Sequence, residues 1–393
     1  MTPPAIAPKS RQWNWRSKAF RSMVYQVIAL VAVIAMGAYL VHNTLQNMRI
    51  RGIQSGFDFI TQPAGFSIGE SVVPFDSDDS YGKAFLVGLS NTLRVAVVGI
   101  VLATLLGTLV GIGRLSQNFL LRTLCAVYVE IFRNVPLLLQ LFIWYFVLTE
   151  LLPPIETALH PMAGVFFSKN GLQYPVPVWA GGHWMTLAGL ALGVVAVWAW
   201  SRATRAHLYA TGLVRPVFWP GLAILIACAL LGWLAGGAPG GLDIPEKTEI
   251  NVVGGAALTP EFLTVLVGLA IYTASYIAEI VRGGIQAVPY GQHEAAAALG
   301  LSRQMDVRLV QLPQALRVII PPLTSQYLNL TKNSSLAVAV GYPDLVSISN
   351  TSLNQTGRAI ECIALVMACY LTLSLLTAAF MNAYNKRSLI KER

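Results

Sequence analysis

Ionisable side chains stand in apolar stretches of this sequence, where hydrocarbon tolerates them poorly: Arg94, Glu130, Arg133, Glu279, Lys332 and Glu361. A charge placed there is costly and marks either a route for a polar solute or a partner for another charge. Glu130 and Arg133 are three residues apart, a spacing that lets them pair on one helix face. Such a pair either braces helix packing or meets a solute, and both readings stay open. Lys332-Asn333-Ser334-Ser335 sets a cation beside three hydrogen-bonding side chains. That set can hold a carboxylate, or it can satisfy the backbone of a broken helix. Asn91 and Thr92, near the end of another apolar run, either line the same route or bond neighbouring helices together. The residues for self-contained catalysis are missing. The histidines at 42, 160, 183, 207 and 293 are scattered, and Cys125, Cys228, Cys362 and Cys369 fall in apolar segments without metal-ligand spacing. No G-x-x-x-x-G-K-[ST] loop occurs: Gly82-Lys83 is followed by Ala84, so the chain cannot cradle ATP phosphates by that route.

The elements that must position these groups are membrane helices. The 393 residues are 55% hydrophobic and 11% charged, against about 25% charged in an ordinary soluble domain. Apolar runs long enough to span a bilayer predict spans at 23–41, 85–112, 124–148, 185–200, 217–234, 262–281, 319–340 and 360–380. The first is retained rather than cleaved, because His42-Asn43-Thr44 follows it and no small-residue cleavage site does. Segments 42–84, 149–183 and 236–260 read as irregular outer loops. The pairs Gly107/Gly111 and Gly189/Gly193 permit close helix crossings.

The net charge of +9 is informative by its distribution. With the N-terminus inside, the inner segments hold 18 Lys and Arg, and the outer loops, counting the stretch between the last two spans with Arg358, hold 6. That excess is what the positive-inside rule requires. The expected fold class is therefore an all-α integral membrane protein of about eight transmembrane helices, with both termini cytoplasmic. Its parts are 1–84 (N-terminus, first span and outer loop), a membrane domain at 85–382 and a cytoplasmic tail at 383–393. The membrane domain consists of a core (85–148 and 260–382) and an inserted span pair (185–234).

One inner segment is unlike a simple loop. Between the apolar runs ending near Gly283 and starting near Ile319 lies Pro289, Gly291 and then Glu294-Ala295-Ala296-Ala297-Ala298-Leu299-Gly300. Ala295 to Leu299 favour a helix, Gly300 suits a left-handed cap, and Ser302 can start a second helix. Pro313 closes that helix or opens the return to the membrane. The product is helix, tight turn, helix on the inner surface.

Glu294-Ala295-Ala296, Gly300, Val310 and Leu312-Pro313, in that spacing, resemble the EAA loop of permease subunits of bacterial ABC importers. The flanks Tyr276-Ile277-Ala278-Glu279, Gln286-Ala287-Val288-Pro289 and Gly291-Gln292 resemble the polar amino-acid branch, as does the run from Glu130 through Arg133-Asn134-Val135-Pro136 to Gln140. The resemblance implies a type I importer permease fold in the bacterial inner membrane. It also implies a loop that couples to an ATPase through Pro289, Gly291, Glu294, Ala295, Ala296, Gly300, Leu312 and Pro313; the Glu294 carboxylate, by its own chemistry, can anchor the element by hydrogen bonds back to the permease. The implied partners are an ATPase dimer carrying ATP and Mg, a second permease subunit, a periplasmic amino-acid-binding protein, the amino acid and membrane lipid. The chain itself carries no cofactor. The extra first span and the insert resemble the general L-amino-acid branch, whose permeases are heterodimers. The solute-path candidates are Asn91, Thr92, Glu130, Arg133, Glu279, Lys332, Asn333, Ser334 and Ser335.

Two other classes compete. An ion-coupled secondary transporter needs internal repeats, and no clear repeat is visible. A membrane-anchored helix-turn-helix regulator would read DNA with 292–312, but tethering between two spans hinders access to a duplex.

Overall fold

The computed structural model describes residues 15, 17–50, 52, 55–213, 215–248 and 251–388. Most of the expected N-terminal cytoplasmic segment and the end of the expected tail, beyond 388, lie outside the described residues. The helices are α1 (Lys18–Ile50), α2 (Tyr81–Gly113), α3 (Phe119–Asn134), α4 (Leu137–Phe146), α5 (Gly182–Thr211), α6 (Phe218–Ala235), α7 (Pro260–Gln286), α8 (Tyr290–Ala298), α9 (Arg303–Asp306), α10 (Leu312–Asn333), α11 (Leu345–Thr356) and α12 (Ala359–Ser388). Six of them are long and apolar enough to cross a membrane, and seven spans result when the bent pair α3 and α4 is taken as one. Polar residues from Gln314 to Asn333 keep α10, which contains most of the expected span 319–340, out of that set, although its Ala315, Ile319 and Leu330 are buried against α7.

The chain divides into two compact units, Met1–Thr92 with Pro343–Leu376, and Leu93–Tyr342 with Thr377–Arg393. In the first, Phe59, Ala64, Tyr81 and Phe85 close a core with Leu345, Ile348 and Cys362. The segment after α1 is clamped to the start of α12. Arg358 pairs with Asp58 at 3.1 Å, and the Gly56 N–H donates to Glu361 Oε1 at 2.6 Å. Glu361 therefore answers a backbone donor, which accounts for a buried carboxylate without assigning it a solute.

In the second unit α7 is the hub. Its Phe262, Val265, Leu269, Ala274, Ile277 and Val281 are buried against α2, α4 and α10. The expected close crossing is present. A Cβ at Gly107 would lie 2.8 Å from Ala274 O, and one at Gly111 2.7 Å from Ala278 O. Gly189 faces α6 as tightly, 2.4 Å from Cys228 O.

Two expectations are corrected. The 124–148 span is broken: α3 and α4 meet at 106°. Pro136 supplies no N–H and pushes Val135 into an extended conformation, φ −94° and ψ 129°. Gln140 takes up the carbonyls this frees, its Nε2 donating to Phe132 O and Val135 O at 2.9 Å each. Two of the segments expected to be irregular outer loops, 149–183 and 236–260, carry short strands. Strands β1 (Leu159–Met162), β2 (Val165–Ser168) and β3 (Gly171–Tyr174) form an antiparallel sheet. The sheet is completed by β8 (Ala256–Leu258), with Leu172 opposite Leu258, while β4 (Val176–Pro177) with β5 (Leu242–Asp243) and β6 (Glu246–Lys247) with β7 (Val252–Val253) form two further short ribbons. Strands of two to four residues are too short for a period to be read from sequence.

Candidate functional site

The segment at 289–313 folds as an elbow. Pro289 sits at the N-cap of α8, consistent with its fixed φ. Gly300 has φ +73°, its N–H donates to Ala297 O at 2.9 Å, and the Leu301 N–H donates to Ala296 O at 3.1 Å. That pair of bonds is the Schellman arrangement, which needs a left-handed residue at the turn. Ser302 Oγ accepts from Met305 N at 3.4 Å and starts α9. Pro313 stands in the first turn of α10, so it opens the return rather than closing α9. Ala296 is buried against the inside of the elbow, whereas Gly291, Glu294, Ala295 and Leu312 are exposed.

Glu294 does not provide the anchor expected of it. It faces outward, and no hydrogen bond to it is seen among the described residues. The two arms are tied instead by its neighbour: His293 Nδ1 bonds Asp306 Oδ2, which also accepts from Gln311 Nε2 at 2.7 Å. Gln314 Nε2 adds a bond to Gln292 Oε1 at 3.1 Å. The residues His293, Asp306 and Gln311 line a cleft of about 550 Å³ with Ile285, Val288 and Tyr290. No motif flags His293 with Asp306, because the contact exists only after the turn is made. The elbow exposes two large apolar side chains among its polar ones, Tyr290 at 73% and Leu299 at 80%.

The solute-path candidates divide. Asn91 and Thr92 are wholly buried. Asn91 Nδ2 donates to Glu70 O at 2.8 Å and to Pro343 O at 2.9 Å, and its Oδ1 accepts from Val72 N at 3.4 Å. Thr92 Oγ1 accepts from Leu345 N at 3.1 Å and donates to Gly88 O at 2.9 Å. Glu130 and Arg133 do not pair with each other. Arg133 lies over the Tyr276 ring at 5.1 Å, while Glu130 accepts from Asn134 at 3.4 Å. The Tyr276 ring of α7 takes up the guanidinium. Glu279 is held by Arg114 and Arg282. Ser334 and Ser335 donate to Thr331 O and Lys332 O at 2.8 Å each, satisfying the last turn of α10, and Lys332 is exposed.

Asp344, not singled out from sequence, caps α11 in the first unit. Its Oδ1 accepts from Ser347 N at 2.8 Å, and Tyr370 OH lies 3.5 Å from Oδ2. Burial outweighs the stabilising donors and pushes the carboxyl from an ordinary 3.8 up to about 7. The folded state then holds a proton that the unfolded chain has released. The contribution of this group to stability is accordingly greatest below about pH 4, falls by about 1.4 kcal/mol per unit toward pH 7 and is flat above. Asp344→Asn keeps the capping acceptor and is expected to remove that slope, leaving the variant the more stable at pH 8. Thermal unfolding across pH 4.5–8 checks this, and parallel curves for the two proteins would refute it.

The described residues form a polytopic helical bundle with a helix-turn-helix elbow between α7 and α10, the architecture of a membrane component. The chain belongs to the family of binding-protein-dependent transport system inner membrane components, whose model matches residues 99–391. It is 44% identical to the general L-amino acid transport system permease protein AapQ of Rhizobium johnstonii, over 97% of this chain and 96% of that one. It is 46% identical to the putative amino-acid ABC transporter permease protein YhdX of Escherichia coli K12, over 97% of each. It is also 41% identical to the glutamate/glutamine/aspartate/asparagine transport system permease protein BztB of Rhodobacter capsulatus, over 95% of each.

Proposed function

We infer that this chain is a permease subunit of an ATP-binding-cassette importer that moves L-amino acids into the cytoplasm by alternating access. The reading is carried by the elbow at 289–313, an element shaped to receive a stroke from a partner, in a chain alike along nearly its whole length to amino-acid permeases. Two ATPase subunits holding ATP and Mg would grip Tyr290 and Leu299. A second, homologous permease would complete the route, and a periplasmic binding protein would deliver the solute. Both termini lie in the cytoplasm on this reading. The core is 85–148 with 260–382, and the pair 185–234 packs at its edge. Pro289, Gly291, Glu294, Ala295, Gly300, Leu312 and Pro313 form the coupling surface, with Ala296 packed inside the elbow beneath it.

Proteoliposomes containing the full complex test the reading. Uptake of amino acids is expected only with ATP inside and binding protein outside. Uptake by the isolated chain on an ion gradient, without nucleotide, would establish the secondary-transporter reading instead. Within that assay Lys332→Met examines the carboxylate contact. Because every amino acid carries the same α-carboxylate, transport of acidic, amide and apolar substrates is expected to fall together, by roughly tenfold for loss of a charge-assisted bond. A loss restricted to one side-chain class would place the carboxylate contact elsewhere.

A further inference from the structure

We propose that the cleft between the ends of α2 and α7 and the flank of α3 binds the phosphate headgroup of an anionic phospholipid. The cleft, of about 490 Å³, is lined by Arg114, Arg122 and Arg282, with Glu130 at its edge. Arg114 and Arg282 converge on the single carboxylate of Glu279, which fixes both guanidinium groups in place. Arg282 Nη1 is further held by Gln286 Oε1 at 2.5 Å. Two cations on one anion leave a positive charge over, and Arg122 adds another from α3. Glu130 opposes one of these, so the lining stays cationic. Each guanidinium presents five N–H donors in a planar fork, more than Glu279 can occupy, and that fork matches a phosphate.

The second half of the ligand is indicated by α3 itself. Leu120, Leu124, Val127 and Ile131 recur at helical spacing and are all exposed, between 49% and 65%. Val127 and Ile131 also line the cationic cleft. An apolar stripe running out of an arginine-lined cleft fits a molecule whose phosphate is tethered to hydrocarbon. A free phosphate would use only the first half of the site. Basic clefts between membrane helices on the cytoplasmic side are suited to anionic headgroups. The site lies apart from the elbow's tip, so the inference depends on the chain's place in a membrane and not on which solute it carries.

The test uses the purified full chain in neutral detergent, titrated in native mass spectrometry with phosphatidylglycerol, with phosphatidylcholine of the same acyl chains and with inorganic phosphate. Saturable binding of phosphatidylglycerol is expected, at least tenfold tighter than phosphatidylcholine. Arg122→Gln, at an exposed position where folding is not at stake, is expected to weaken it by about fivefold, the effect of one arginine near an anionic lipid. Equal binding of the two lipids, or an unchanged affinity in Arg122→Gln, overturns the proposal. Full displacement by millimolar inorganic phosphate would overturn it in favour of the free anion. Displacement by the ATPase subunit would overturn it in favour of an acidic protein surface.

Discussion

Gly300→Val is expected to reduce ATP-driven uptake about tenfold or more while the protein still reaches the membrane in normal amount. The reasoning starts from the backbone. Gly300 has φ +73°, and nothing lies within 4 Å of a Cβ built there, so a side chain meets no obstacle. The whole cost is conformational: about 1–2 kcal/mol for an ordinary L-residue in the left-handed region, and more for a β-branched one. The turn is a short, exposed connection with little packing to absorb that cost. Valine would release the Schellman bonds to Ala296 and Ala297, and α8 would no longer hold its angle to α9. Gly300→Asn makes the control, since asparagine tolerates a left-handed backbone and adds similar bulk. Uptake is expected to be highest in the wild type, lower in Gly300→Asn and lowest in Gly300→Val, with membrane abundance flat across the series. Equal uptake in all three would mean that the turn's geometry does not matter to coupling. Uptake falling with side-chain size and not with β-branching would point to a surface that a partner covers.

The elbow was legible because it is built locally. A left-handed turn asks for glycine, a helix start asks for serine, and the two occur two residues apart at Gly300 and Ser302. Close helix crossings were legible for the same reason, since Gly107 and Gly111 recur on one face of α2. What escaped was whatever depends on chain segments far apart in sequence. The bend at Val135–Pro136 stands in the middle of an apolar run whose hydropathy gives no sign of it, and the signal that would have found it was the proline with Gln140 four residues on. The bond between His293 and Asp306 joins arms that meet only once Gly300 has turned the chain. The β1–β2–β3–β8 sheet unites two loops separated by the α5–α6 hairpin, and strands that short carry no period. Charges in apolar segments drew attention, but their type did not say what answers them. Arg133 finds an aromatic ring, Glu361 a backbone N–H, and Glu279 two arginines.

Asn91→Leu separates the two readings of a buried polar residue, and its expected result is a large loss of stability with no selective loss of affinity. Leucine matches asparagine closely in shape but supplies no hydrogen bond. In the first unit it would remove the donor to Glu70 O and Pro343 O and the acceptor of Val72 N, all now served by one side chain that is itself 0% exposed. A buried backbone group left without a partner costs about 1–3 kcal/mol. Val72 is exposed and its N–H can turn to water, so the cost falls on the two half-buried carbonyls, about 1–3 kcal/mol against a typical stability of about 5–15 kcal/mol. Asn91→Asp is expected to be no milder, because it swaps the two-proton donor for oxygens facing two carbonyls. Thr92→Val is the milder companion, leaving only the Leu345 N–H without its acceptor. The measurements are membrane abundance and thermal unfolding of the purified chain, set beside the concentration of amino acid giving half-maximal uptake. If Asn91 served the solute directly, Asn91→Leu would fold normally and shift that concentration alone. With its amide committed to three backbone partners, it has no hydrogen left to offer a passing amino acid, and the damage should fall on the fold.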